Sequence, residues 1–156
     1  MRRNTAAAFF CEDIREEKNG AFTLIGIMPD TITVIRPSDD AAGKFVPMIP
    51  KLCIFARFNC DLRLSFKDAY VRVVAPDDSE LIKYSMASDL REAIRLSNEK
   101  GNLLGGVNFR FIMGGFTVVA FGHMKVEMAV DDDVILAGEL QLVPFEEKPT
   151  VVSTAS

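Results

Sequence analysis

CEDIREEKNGAFTLIGI, residues 11–27, sets six charged side chains into the seven positions Glu12 to Lys18 and turns apolar just after Asn19-Gly20. Asn-Gly between two strand-like runs is the strongest short-range hairpin signal, because both residues tolerate the positive φ of a tight type I′ turn. The stretch therefore predicts one strand running to about Lys18 and another starting at Ala21. A two-residue turn would pair Lys18 with Ala21, Glu16 with Thr23, Ile14 with Ile25 and Glu12 with Ile27. It would set Glu17, Arg15 and Asp13 against Phe22, Leu24 and Gly26. Such pairing divides the charges between two faces, as in a solvated hairpin arm, whereas a catalytic carboxylate pair converges on one pocket. Asp13 is the exception. A glycine opposite it leaves room for a carboxylate beside backbone, with Arg15 and Lys51 as the cations to meet it.

Outward from the hairpin the β signals continue. Pro29-Asp30 marks a second turn, Thr31 to Arg36 a third strand, and Pro37 its end. The proline-punctuated segment 37–50 carries apolar residues of its own and is expected to lie over a sheet edge. From Lys51 to Ala75 the chain alternates, with Cys60, Leu62, Leu64 and Phe66 facing one way and Asp61, Arg63, Ser65 and Lys67 the other, the pattern of a half-buried strand. A turn at 75–81 joins YVRVV to LIKYSM. One helical pattern follows near 89–100. Asp89 and Glu92 have capping-box spacing, Leu90, Ala93, Ile94 and Ser97 share a face, and Gly101 supplies a stop. Alternation returns at Val107, Phe109 and Phe111, and again at Met124, Val126, Met128 and Val130, before the Asp131-Asp132-Asp133 turn and VILAGELQLV.

Eight to ten short strands with one helix predict a mainly β fold. Its form would be an antiparallel two-sheet β-sandwich, immunoglobulin-like or C2-like. Twelve Phe with many Val and Ile suit pleated surfaces. At 156 residues, 49% hydrophobic and 26% charged, the composition is that of one ordinary globular domain. We expect that domain to occupy 1–145, with 146–156 a loose tail.

The same numbers exclude several classes of function. A net charge of −4 and a pI near 5.1 leave no cationic footprint for nucleic acid. Arg2 and Arg3 precede an apolar run of six residues before Glu12, short of the roughly seven to fifteen of a secretory signal. No run approaches the ~18 apolar residues of a membrane span. Cys11, Cys53 and Cys60 are odd in number and lack CxxC spacing, so reduced, buried thiols in a cytoplasmic protein are expected rather than a disulfide framework or a zinc site.

Chemistry-bearing motifs are sparse. The single histidine, His123, falls by parity on a polar face with Lys125 and Glu127, and no G-x-S-x-G accompanies it. Gly105-Gly106 and Gly114-Gly115 lack the lysine and the strand-to-helix setting of a phosphate loop. Three acidic turns, Asp39-Asp40, Asp77-Asp78 with Glu80, and Asp131-Asp132-Asp133, could offer oxygen ligands to calcium only if they gathered at one end of a sandwich. Asp is also a favoured turn residue in its own right.

CEDIREEKNG followed by TLIGIM, then Pro-Asp and a strand, resembles the start of an uncharacterised family of small bacterial β-rich proteins, a domain of unknown function. PKLCI at 50–54 and GHMKVEMAVDDDVI at 122–135 are similar in pattern to later parts of that family. The resemblance implies a cytosolic, β-rich single domain, and it transfers no activity or cofactor. Asp133 stands where the family pattern has a glycine, which implies a longer last hairpin.

The expected function is that of a non-enzymatic binding module, with no cofactor, whose partner is another protein or a second copy of itself, acting through an exposed strand edge or apolar patch. One alternative is a small-ligand binder or enzyme with a polar pocket at Asp13, Arg15 and Lys51. Another is a calcium-dependent C2-like membrane-binding module that uses Asp77, Asp78, Asp131, Asp132 and Asp133.

Overall fold

The hairpin at Asn19-Gly20 forms, but with a three-residue loop. Gly20 N–H donates to the Glu17 carbonyl at 2.9 Å, Glu17 N–H donates to the Ala21 carbonyl at 2.8 Å, and Gly20 has φ of 77°. A turn that ends on a left-handed glycine is the usual geometry of three-residue hairpins, and the Asn19 side chain completes it by accepting from Ala21 N–H at 3.0 Å. One extra loop residue moves the whole register by one, so the two-residue pairing is corrected. Asp13 stands opposite Ile25, Arg15 opposite Thr23 and Glu16 opposite Phe22. It is Glu12 that lies over Gly26: a Cβ built there would sit 2.6 Å from the Glu12 carboxyl carbon, and Gly26 itself has φ of 61°.

This computed structural model describes residues 4–35 and 46–145. Most of the 37–50 segment and all of the 146–156 tail fall outside the described residues. The elements are β1 (Thr5–Glu16), β2 (Phe22–Ile27), β3 (Thr31–Val34), β4 (Met48–Asp61), β5 (Ala69–Val74), β6 (Glu80–Ser85), α1 (Ala87–Glu99), β7 (Leu104–Thr117), β8 (Gly122–Val130) and β9 (Asp133–Pro144). They build a mainly β sandwich of two sheets, ordered β2-β1-β4-β7 and β3-β9-β8-β5-β6. All pairings are antiparallel except β3 with β9, which run parallel because the chain crosses between sheets at residues 28–30. The mostly antiparallel two-sheet sandwich is the expected architecture, with this one parallel pair at its edge.

Alternation fills the space between the sheets. Leu52, Ile54, Ala56 and Phe58 of β4 meet Val71 and Val73 of β5, Met124, Val126 and Met128 of β8, and Leu140 and Leu142 of β9, all essentially without solvent contact. Each large side chain removed from water in this way stabilises the fold by about 1.5–3 kcal/mol. No charged side chain is buried among the described residues. The sheets approach closest where β1 crosses β9. A Cβ on Gly138 would lie 2.7 Å from the Ala8 carbonyl oxygen and 3.1 Å from the Ala8 Cβ. Beside it the β8–β9 register shifts between Val126 and Glu127, so that Ala137 drops out of the ladder as a bulge.

Three further expectations are corrected by the geometry. Leu62 to Lys67 keep alternating burial but form no strand: β4 ends at Asp61, and Leu64 N–H turns back to the Asp61 carbonyl at 3.0 Å. These residues carry the chain from one sheet to the other, and Leu64 and Phe66 still pack on the core. The helix begins at Ala87, so Asp89 lies inside its first turn and makes no cap; its carboxylate accepts instead from the Tyr84 hydroxyl at 2.9 Å. The expected face is the covered one, with Leu90 buried and Ala93, Ile94 and Ser97 half-buried, and Gly101 ends the helix at φ of 69°. The last hairpin is tight rather than long: Val130 pairs with Asp133 across the two residues Asp131-Asp132, with Asp131 supplying a φ of 51°.

Candidate functional site

The structure brings Asp13, Arg15 and Lys51 together. The pairing of β1 with β4 ends at Cys11 opposite Cys53, and two residues beyond it on each strand Lys51 Nζ lies 2.6 Å from Asp13 Oδ1. Arg15 Nε lies 3.5 Å from Asp13 Oδ2. The Asp13, Lys51 and Arg15 side chains are 33%, 46% and 66% exposed, so the trio sits on an open sheet face rather than in a deep pocket. The Lys51 hydrogen bond holds the Asp13 carboxyl below the usual carboxylate range, and the same bond pushes the Lys51 ammonium up. Both groups are thus held in their charged forms. Neither is tuned toward neutrality as a general acid, a general base or an amine nucleophile requires.

Beside the trio lies a small second cluster of Cys11, Ile14 and Cys53, covered by Phe22, Leu24 and Phe55. Cys11 and Ile14 are three residues apart yet share this cluster, so strict alternation is broken between them, where Gly26 takes its positive φ on the neighbouring strand. Burial pushes the Cys11 thiol up to about 11, with Cys53 and Asp13 adding to the effect. Burial raises Cys53 as well, and its Sγ donates weakly to the Glu12 carbonyl at 3.5 Å. All three cysteines are buried and unbridged. On the same side Arg110 reaches back to Glu16 at 3.1 Å and stacks over Phe22 at 5.1 Å. These partners occupy several of the hairpin charges.

The acidic turns do not gather. Ala69 pairs with Val130 and Val74 with Lys125, so the Asp131–Asp133 turn and the Asp77-Asp78 turn stand at opposite ends of β5, roughly 20 Å apart for six residues of strand. Asp131 Oδ1 accepts from both Lys67 and Asp68 N–H at 2.9 Å, and those bonds hold its carboxyl below the usual range. Asp77 accepts from the Ser79 hydroxyl at 2.6 Å and from Ser79 N–H at 3.1 Å. Both acids are committed to local turns. Asp39-Asp40 falls outside the described residues.

Models of known protein families and the curated proteins provide no match to this chain.

Two features escaped the linear reading. β7 is a long outer strand, paired along its length with β4 and with no strand on its other side among the described residues. Parity identifies the residues of such a strand but not its place at an edge. The second is a cleft of about 400 Å³ between β1, the β2–β3 crossover, the start of β8 and the middle of β9. His123 lines it, with Nδ1 3.4 Å from Glu139 Oε2. The sequence shows His123 on a polar face, but not that Asp30 and Glu139 share its cleft, because they come from different elements.

Proposed function

We propose that this protein is a non-enzymatic interaction module of the cytoplasm that takes an extended segment of a partner protein, or of a second copy, onto the free edge of β7. The observation that carries the reading is the imbalance among edges. β7 has 14 residues, whereas the other outer strands β2, β3 and β6 have six, four and six. An unpaired edge offers a row of N–H and C=O groups to any extended chain, and proteins blunt such edges with short strands, prolines and charges. β7 contains no proline, and its one charge, Arg110, is already paired with Glu16. Ile112, near its middle, is 61% exposed. The helix packs against the strand near its beginning, where Ile94 lies on Gly105. Three unbridged buried thiols favour a reducing compartment. The likeness of the opening stretch to a bacterial β-rich family agrees with this setting.

Ile112→Lys tests the reading, since an edge lysine is a natural blocker of strand addition and the position is open enough to accept it. Hydrogen exchange on a captured complex should slow along β7, and unchanged exchange there with slowing elsewhere would move the docking surface. The assembled trio supports a second reading, in which Asp13, Arg15 and Lys51 contact a small polar ligand. Under it, Asp13→Asn alters ligand binding in addition to removing the stability that the Lys51 bond supplies. A lowered midpoint with no ligand effect assigns the trio to structure.

A further inference from the structure

The cleft at His123 is independent of the β7 edge and carries an inference of its own. Its shape is set by backbone. Met28 N–H donates to the Phe10 carbonyl at 2.8 Å and Gln141 N–H donates to the Asp30 carbonyl at 2.8 Å, so the crossover is pinned to a sheet on either side. Gly138, lying against Ala8 at one side of the cleft, can accept no side chain there. At about 400 Å³ the cleft lies within the usual size range for small-molecule sites, which combine apolar walls with a few polar groups that fix orientation.

The lining names the ligand class. Phe9, 46% exposed, and Ile27, 58% exposed, join Met28 in apolar walls that face solvent. The formal charges of the lining are Asp30 and Glu139, while His123 is already turned to Glu139 and the Gln141 side-chain Oε1 accepts from the Thr31 hydroxyl at 3.0 Å. Lys125 stands opposite Glu139 across the β8–β9 ladder but does not line the cleft. We propose that this cleft binds a small organic cation with an aromatic body, the ring packed on Phe9, Ile27 and Met28 and the ammonium between Asp30 and Glu139. The carboxylates supply the charge, and an aromatic face near a cation adds to it.

The chain has one histidine, so its ring signals in an NMR spectrum report on this cleft without assignment ambiguity. Phenethylammonium chloride titrated into the labelled full-length protein should shift them saturably, with a Kd on the order of 1 mM for a ligand of this size. Phenylacetate, similar in shape and opposite in charge, should give no saturable shift. Asp30→Asn and Glu139→Gln lie at exposed positions where the fold is held by backbone bonds, and each should weaken binding roughly two- to five-fold, the scale of a partly solvated ion pair. Equal binding of phenylacetate, no saturable shift with the amine, or unchanged affinity in both variants would overturn the proposal.

Discussion

Gly138→Ala probes the seam on which the sandwich closes. The added Cβ would lie 2.7 Å from the Ala8 carbonyl oxygen. A comfortable carbon–oxygen contact is about 3.3 Å or more, so roughly 0.6 Å must be found. The obstacle is backbone, and no rotamer change can clear it: β1 and β9 must part, or the β9 bulge must shift. Overpacking of this kind costs typically 1–3 kcal/mol. A Gly→Ala change also stabilises by about 0.4–1 kcal/mol through the unfolded chain, which offsets part of that cost. Gly114→Ala provides the control, because a Cβ there meets nothing within 4 Å and its φ is not positive. Both variants share the unfolded-state gain, so their difference isolates the steric cost at the seam. Urea unfolding should separate them by about 1–3 kcal/mol with unchanged m-values, and thermal unfolding by about 2–4 °C per kcal/mol. Two variants of equal stability would refute the close approach of β1 and β9.

Other outcomes follow from the core and the titrating groups. Phe58→Ala should cost about 3–5 kcal/mol in the same urea assay, since the ring, on the inner face of β4, is without solvent contact. The Cys11 and Cys60 thiols, both raised to about 11 mainly by burial, should resist alkylation at pH 8 in the native protein and react promptly in denaturant. A folded-state thiol value above the ordinary 9.0 means a stability contribution that is full below pH 9 and lost as pH climbs toward 11, so unfolding midpoints should fall across that window. Asp13 works in the opposite direction. Its carboxyl is held below the ordinary 3.8, so its contribution is present above that value and lost as pH falls below it, and Asp13→Asn should flatten the acid limb of a stability profile.

The fold class was legible because strand period and turn chemistry are local. YVRVV alternates as β5, Gly101 closes α1, and Leu90, Ala93, Ile94 and Ser97 form its covered face. Register was harder to read. Asn19-Gly20 suits both a two-residue turn and the end of a three-residue one, and the choice decides whether Asp13 or Glu12 meets Gly26. The segment from Leu62 to Lys67 alternates for a different reason, since a chain crossing between sheets over a core can cover it with every second side chain without any ladder. Asp13 was singled out by an expected pairing with Gly26 that the register does not contain, yet the cation proposed for it by charge complementarity, Lys51, does meet it. The β7 edge and the His123 cleft depend on the order of strands across the sheets and on the parallel β3–β9 pair, neither of which leaves a local trace.

The most direct test of the β7 reading is quantitative affinity capture from the native host with wild-type protein, Ile112→Lys and Leu81→Lys, the last placing a lysine on the short β6 edge of the other sheet. All three should remain folded, because both positions are exposed and such surface changes usually stay within about 0.5 kcal/mol. A protein retained by wild type and by Leu81→Lys, lost with Ile112→Lys, and slowing exchange along β7 is the predicted result. Equal retention by Ile112→Lys would contradict it.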